Sequence, residues 1–168
     1  MKVAIIMGSD SDLPVLQPAL DTLDQFHIEY EVLVASAHRT PAIVHDFAAG
    51  AAGRGVQVII AAAGAAAHLP GVIASYTTVP VIGIPVDSTS VGGLDALLSI
   101  VQMPAGIPVA TMAINGAKNA ALFALQILAT ANSELAEGLV RYRQTLAAEV
   151  EQKNARLQEK LNHKRSNI

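Results

Sequence analysis

Ser36-Ala37-His38-Arg39-Thr40-Pro41 gathers in one short stretch the side chains that a phosphorylated small molecule requires. The Arg39 guanidinium can bind a phosphate with two parallel N–H donors, and the hydroxyls of Ser36 and Thr40 can add to it. His38 stands between them, where an imidazole can carry a proton near neutral pH. An isolated histidine is more often structural, but the place of His38 between Ser36 and Arg39 favours chemistry. Thr40 has a second reading, as the cap of a helix that starts at Pro41.

Two more stretches share this character. In Gly8-Ser9-Asp10-Ser11-Asp12, Gly8 permits a tight turn and Ser9 and Ser11 offer hydroxyls. The helix that follows presents unpaired N–H groups and the positive end of its dipole. Asp12 precedes Leu13-Pro14 and fits a helix N-cap, and capping alone explains this loop equally well. A metal pair on Asp10 and Asp12 lacks a third ligand. In Gly64-Ala65-Ala66-Ala67-His68-Leu69-Pro70-Gly71, small side chains let the backbone approach a ligand closely, and His68 is a second polar group in that small-residue wall. The bland alternative for His68 is a histidine satisfied beneath the loop. His27, His45 and His163 look peripheral, and no two histidines lie four apart, which disfavours a helical zinc pair.

Composition removes several classes. Without cysteine there is no disulfide, no thiolate nucleophile and no Cys-type zinc site. A net charge of −3 without a basic run argues against nucleic acid. There is no G-x-x-x-x-G-K-[ST] loop for ATP and no G-x-S-x-G elbow, and aromatic residues, at 4%, are too few to suggest stacking on a flavin. No cofactor and no metal are therefore expected. No charged residue occurs from Gly55 to Val86, yet Pro70, Pro80 and Pro85 divide that stretch into runs shorter than the ~20 residues of a membrane helix. The apolar run in Met1–Met7 is too short for a signal peptide, so a cytoplasmic protein is expected. Because 52% of residues are hydrophobic and only 15% charged, a dense core and surface buried between subunits are both expected.

The elements that must position these loops follow from periodicity. Apolar runs at 3–7, 30–36, 56–62, 79–86 and 107–113 read as buried strands. Helical spacing fills 13–26, 41–55, 69–76, 93–103 and 117–130, with Pro41 opening the second helix and Gly55 past its end. Strands without polar alternation, each followed by a helix, imply a parallel sheet covered on both faces. Five such units give an α/β fold: a flavodoxin-like three-layer αβα sandwich with a five-stranded parallel sheet. In such sheets ligands bind outside the carboxyl ends of the strands, and the three loops above, with Asp87-Ser88-Thr89 after the fourth strand, all fall there. Residues 1–132 read as one catalytic domain. Residues 133–168 read as a C-terminal helical extension, capped by Ser133, with Leu135, Leu139, Tyr142, Leu146, Val150, Leu157 and Leu161 near helical or heptad spacing. A helix this long exceeds what a small sheet can cover, so packing on a neighbouring subunit is expected.

The combination of Met7-Gly-Ser-Asp-Ser-Asp12, Ser36-Ala-His-Arg-Thr-Pro41, the Gly64–Gly71 stretch and Ser99-Ile-Val-Gln-Met-Pro104, in this order, resembles the class I N5-carboxyaminoimidazole ribonucleotide mutases, the PurE family of purine biosynthesis. The likeness covers residues 3 to about 130. In class II carboxylases the second loop tends instead to read His-Lys-Gly-Pro. The resemblance implies migration of a carboxylate from N5 to C4 of an aminoimidazole ribonucleotide, in a homo-octamer with sites at subunit contacts. It implies that His38 is catalytic and that Ser9, Asp12 and Arg39 bind substrate, with Gly8, Ser11, Ser36, Gly64, Ala65, Ala66, His68 and Leu69 lining the same pocket. By the same analogy Arg39 and nearby hydroxyls hold the 5′-phosphate, and Asp12 the ribose hydroxyls. Direct carboxylation of aminoimidazole ribonucleotide by CO2 is the alternative. Two departures stand out: Ala65 replaces the glycine that usually follows Gly64, and the loop Ile114-Asn-Gly-Ala-Lys-Asn-Ala-Ala121 is shorter than in some members.

Overall fold

The computed structural model of the protein describes residues 1–166. Its strands are β1 (Lys2–Met7), β2 (Glu29–Val34), β3 (Val56–Ala63), β4 (Val81–Pro85) and β5 (Ala110–Thr111). The helices are α1 (Leu13–Gln25), α2 (Pro41–Ala49), α3 (Leu69–Tyr76), α4 (Leu94–Val101), α5 (Ala117–Ala129) and α6 (Ser133–Ser166). The strands form one parallel sheet in the order β2-β1-β3-β4-β5. This is the doubly wound order, in which the winding reverses between β1 and β3.

Both faces of the central strands are dry, which is why their sequences do not alternate. On one face Ala4, Ile6, Ile59, Ala61 and Val81 pack in one cluster with Val44 and Phe47 of α2, Leu69 and Ile73 of α3, and Ala96 and Ile100 of α4. The intervening residues Val3, Ile5, Met7, Val58, Ile60, Ala62, Ile82 and Ile84 point to the other face and are equally buried. There α1 brings Leu16, Ala19 and Leu23, and α5 brings Ala117, Ala121, Ala124 and Leu125. Each fully buried isoleucine contributes about 1.5–3 kcal/mol.

The structure corrects several sequence-based boundaries. The second helix ends at Ala49 rather than near residue 55: Gly50 closes it, a 3-10 turn follows over Ala52–Arg54, and Gly55, left-handed at φ 79°, ends that turn instead. β2 stops at Val34: the Ala35 N–H makes the last ladder bond, to the Met7 carbonyl (2.9 Å), and the chain then turns. β5 shrinks from the expected 107–113 to two residues paired with Ile82 and Gly83. Pro108 has no N–H to donate, and Gly106 turns the chain at φ 98°.

The chain divides into a compact unit, Met1–Leu128, and a second unit that begins at Ala129 and contains α6. Asn132, not Ser133, caps α6: its Oδ1 accepts the Leu135 N–H at 2.8 Å, and Ser133 is already helical. Val140, Leu146, Val150, Leu157 and Leu161 of α6 are exposed. Among the described residues no helix is long and apolar enough to cross a membrane.

Candidate functional site

The parallel register sets the site. Met7 lies level with Val34 on one side and with Ala62 on the other, and Ala63 lies level with Pro85. The loops after β1, β2, β3 and β4 therefore open at one edge of the sheet, beside the point where the winding reverses. They enclose a cleft of about 390 Å3.

After β1, Ser9 caps a 3-10 turn over Asp10–Asp12: its Oγ accepts the Ser11 N–H (3.3 Å) and the Ser11 hydroxyl (2.8 Å). The expectation that Asp12 caps α1 fails, since Asp12 adopts helical dihedrals and its side chain makes no capping bond. Its carboxylate is buried at the cleft floor instead. Burial pushes the Asp12 carboxyl above the usual carboxylate range; the Ser9 backbone amide pulls it partway back, and the neighbouring charge of Asp10 adds to the rise.

After β2, the Ser36 Oγ accepts the N–H groups of His38 and Arg39, each at 3.3 Å, and so shapes the turn that presents both side chains. Thr40 does not cap α2. Its hydroxyl donates to the Ser36 carbonyl (3.1 Å) and accepts the Ser36 N–H (2.8 Å), which closes the turn on itself. Arg39 reaches across to the first loop, where its Nη2 donates to the Gly8 carbonyl at 2.9 Å.

After β3 the chain does not continue as an alanine helix. It leaves the sheet at Gly64, turns through Ala65 and Ala66, and enters α3 at Leu69. Ala66 is left-handed at φ 47°, a conformation that disfavours a side chain, whereas Ala65, where the family pattern has glycine, is not. The methyl of Ala65 thus needs no unusual backbone at its own position. His68 Nδ1 stands 2.9 Å from His38 Nε2, with the rings edge to face at a centroid separation of 5.1 Å. One proton serves that contact, so one imidazole donates and the other accepts.

The cleft brings together Gly8, Ser9, Ser11, Asp12, Ser36, His38, Arg39, Gly64, Ala65, Ala66 and Leu69, all picked out in the sequence. His68 supports the wall through His38 rather than lining it. Ala37 and Ala63 line it as flanking residues. Ser88 lies in the loop after β4, which the strand-end rule places at this edge without giving Ser88 a role: its Oγ accepts the Ala65 N–H at 3.1 Å and faces the cleft. Among the described residues no three His, Asp or Glu side chains cluster to hold a metal.

Fold and site define a flavodoxin-like α/β protein whose cleft, at the reversal point of the sheet, is lined by a guanidinium, hydroxyls, a buried carboxyl and one imidazole, His38, which a second imidazole contacts. Comparisons with known proteins narrow this. The family model described as AIR carboxylase matches residues 2–149. The N5-carboxyaminoimidazole ribonucleotide mutase of Pyrococcus horikoshii is 57% identical over 157 residues, covering 94% of this chain and 89% of that protein. The protein of the same name from Thermotoga maritima is 52% identical over 158 residues, covering 94% and 92%. The crystal structure of Treponema denticola PurE superposes with a TM-score of 0.83 at 29% identity, covering 93% of this chain and 98% of that one. The chain belongs to the AIR carboxylase family.

Proposed function

We propose that the protein is an N5-carboxyaminoimidazole ribonucleotide mutase of purine biosynthesis, working at the cleft between the loops after β1, β2 and β3. The strongest support is the identity of more than half with mutases over nine-tenths of the chain. Arg39 and the hydroxyls of Ser9, Ser11 and Ser36 hold the 5′-phosphate, and Asp12 accepts from the ribose hydroxyls. The base then lies against the small-residue wall of Gly64, Ala65 and Ala66.

The reaction balances on one imidazole. As the N5–carboxyl bond breaks, protonated His38 gives its proton to N5 and CO2 is released into the cleft. C4 attacks that CO2, and the new C–C bond leaves C4 with a proton to lose. Neutral His38 takes it, which restores the starting state. His68 holds the His38 ring for both transfers. The carboxyl group is only moved, so the reaction calls on no ATP, biotin or metal. A wall of small apolar residues keeps water from the CO2 while the ring turns. The α6 helix packs on a neighbouring subunit in a cytoplasmic homo-octamer, which fits the exposed apolar residues along it.

Direct carboxylation is the second reading, favoured by the name of the family model. Purified protein is assayed with N5-carboxyaminoimidazole ribonucleotide, and separately with aminoimidazole ribonucleotide plus bicarbonate. Rapid turnover of the first and weak turnover of the second is the expected result. The reverse result contradicts the mutase reading.

A further inference from the structure

Ser88 has no role in the mechanism above, yet several observations converge on it. Its Oγ accepts the Ala65 N–H at 3.1 Å. Gly64 has no side chain where one would collide with Ser88: a Cβ built there overlaps the Ser88 Oγ. Ser88 is itself anchored from both sides. The Asp87 N–H donates to Asn115 Oδ1 (3.0 Å), and the Thr89 hydroxyl donates to Asp95 Oδ1 (3.0 Å). The loop after β4 is thus a fixed post, and the turn after β3 leans on it.

That turn needs a post. Ala66 holds a left-handed backbone that an alanine does not adopt readily, and such a conformation persists only when its surroundings impose it. Ser88 grips the residue before Ala66, and the His68 N–H closes onto the Ala66 carbonyl at 2.7 Å after it. The same short turn delivers His68 Nδ1 to within 2.9 Å of His38 Nε2. We infer that Ser88 is a positioning residue: by holding the Ala65 N–H it fixes the Gly64–His68 turn and, through His68, the orientation of the His38 ring.

As it bears on catalysis, this role rests on the mutase reading, so the test has one arm that needs no turnover. In Ser88→Ala the imidazole nitrogen NMR signals of His38 and His68 shift, while those of Thr78→Ala, a variant at the opposite end of the sheet, stay as in the parent. Under steady-state mutase assay, Ser88→Ala loses about three- to tenfold in kcat, the worth of one ordinary hydrogen bond, with a smaller change in KM. Gly64→Ala, which pushes the Ser88 hydroxyl aside, is impaired as well. The exchange Gly64→Ala with Ser88→Gly relieves the collision but not the lost hydrogen bond, and it stays impaired. Parental histidine signals in Ser88→Ala overturn the inference. So does full recovery of kcat in the exchange, which would reduce Ser88 to a filler of space. A parent protein that lacks mutase turnover refutes the proposed function, while the NMR arm still decides the role of Ser88.

Discussion

At the amino ends of β1 and β2, Lys2 lies 2.9 Å from Glu31 and 3.6 Å from Glu29, and Arg54 lies 2.9 Å from the same Glu31. At the carboxyl ends the guanidinium of Arg39 donates to a backbone carbonyl, and the carboxyl of Asp12 is buried with no cation beside it. Among the described residues neither Arg39 nor Asp12 forms an ion pair. Two of the cavities contrast the other way. One of about 650 Å3 lies at the amino ends of β4 and β5, between Ala49, Tyr76, Thr78 and Ile107, and no Asp, Glu, Lys, Arg or His lines it. The other, about 390 Å3, is lined by Asp12, His38 and Arg39. Charges that neutralise each other serve the fold, and charges left unmatched in a cleft are available to a ligand. Volume alone favours one end of this sheet and unmatched charge the other.

The sharpest way to break this contrast is His38→Asn. Loss of general acid–base transfer costs about 10²- to 10⁴-fold in kcat, while circular dichroism and the melting temperature stay close to the parent, because His38 is not part of the core. Substantial turnover in that variant removes His38 from the mechanism. Arg39→Ala comes next: KM rises roughly ten- to a hundredfold with a smaller change in kcat, as expected for lost phosphate binding. Arg39→Lys recovers only part of the loss, since a single ammonium cannot reproduce the two-pronged contact.

Asp12→Asn separates function from stability. Burial raises the folded-state pKa of Asp12 above its unfolded value. Its contribution to stability is therefore fully present below the unfolded pKa and is lost as pH rises through the folded one. Above the folded pKa the ionised carboxyl is a burden, so there Asp12→Asn raises the melting temperature while weakening substrate binding. The gain fades as pH falls toward the range where Asp12 takes up its own proton. A melting temperature that falls further below the parent's as pH rises contradicts this.

The smallest effect is expected at the other end of the sheet. Burial by itself would raise the Glu31 carboxyl, but hydrogen bonds from Arg54 and Lys2 outweigh it and hold the group below the usual range. The stability this contributes is present above the unfolded pKa and is lost as pH falls through the depressed folded value. Glu31→Gln costs about 1 kcal/mol or less by thermal melt at neutral pH, and mutase activity is unchanged.

What could be read from residues alone followed the same division. The apolar runs of β1, β3 and β4 and the spacing of α1, α3 and α5 declare themselves, because burial on both faces or on one stripe dictates residue type at every step. The cleft was legible to a similar depth, since one rule about strand ends gathers Ser9, Asp12, His38, Arg39 and Gly64. The failures have a common cause. Whether Ser9 or Asp12 caps a turn, whether Thr40 bonds forward or back, and where β5 begins depend on a few dihedral angles and one missing proline N–H. The strand-end rule placed Ser88 at the edge, but its contact stayed hidden because its partner, Ala65, is distant in sequence and is engaged through the backbone, which carries no residue code. The direct contact between His38 and His68 likewise exists only once β1 lies between β2 and β3.

The central claim, that the ribonucleotide occupies the smaller cleft with its reacting carbon at His38, is tested most directly by a crystal structure of the His38→Asn variant with 4-carboxy-5-aminoimidazole ribonucleotide. The expected result places the phosphate on Arg39 and the serine hydroxyls, the ribose on Asp12, and C4 within reach of the residue 38 side chain. A phosphate bound away from Arg39, or a ligand seated in the larger cavity at the amino ends of the strands, contradicts it.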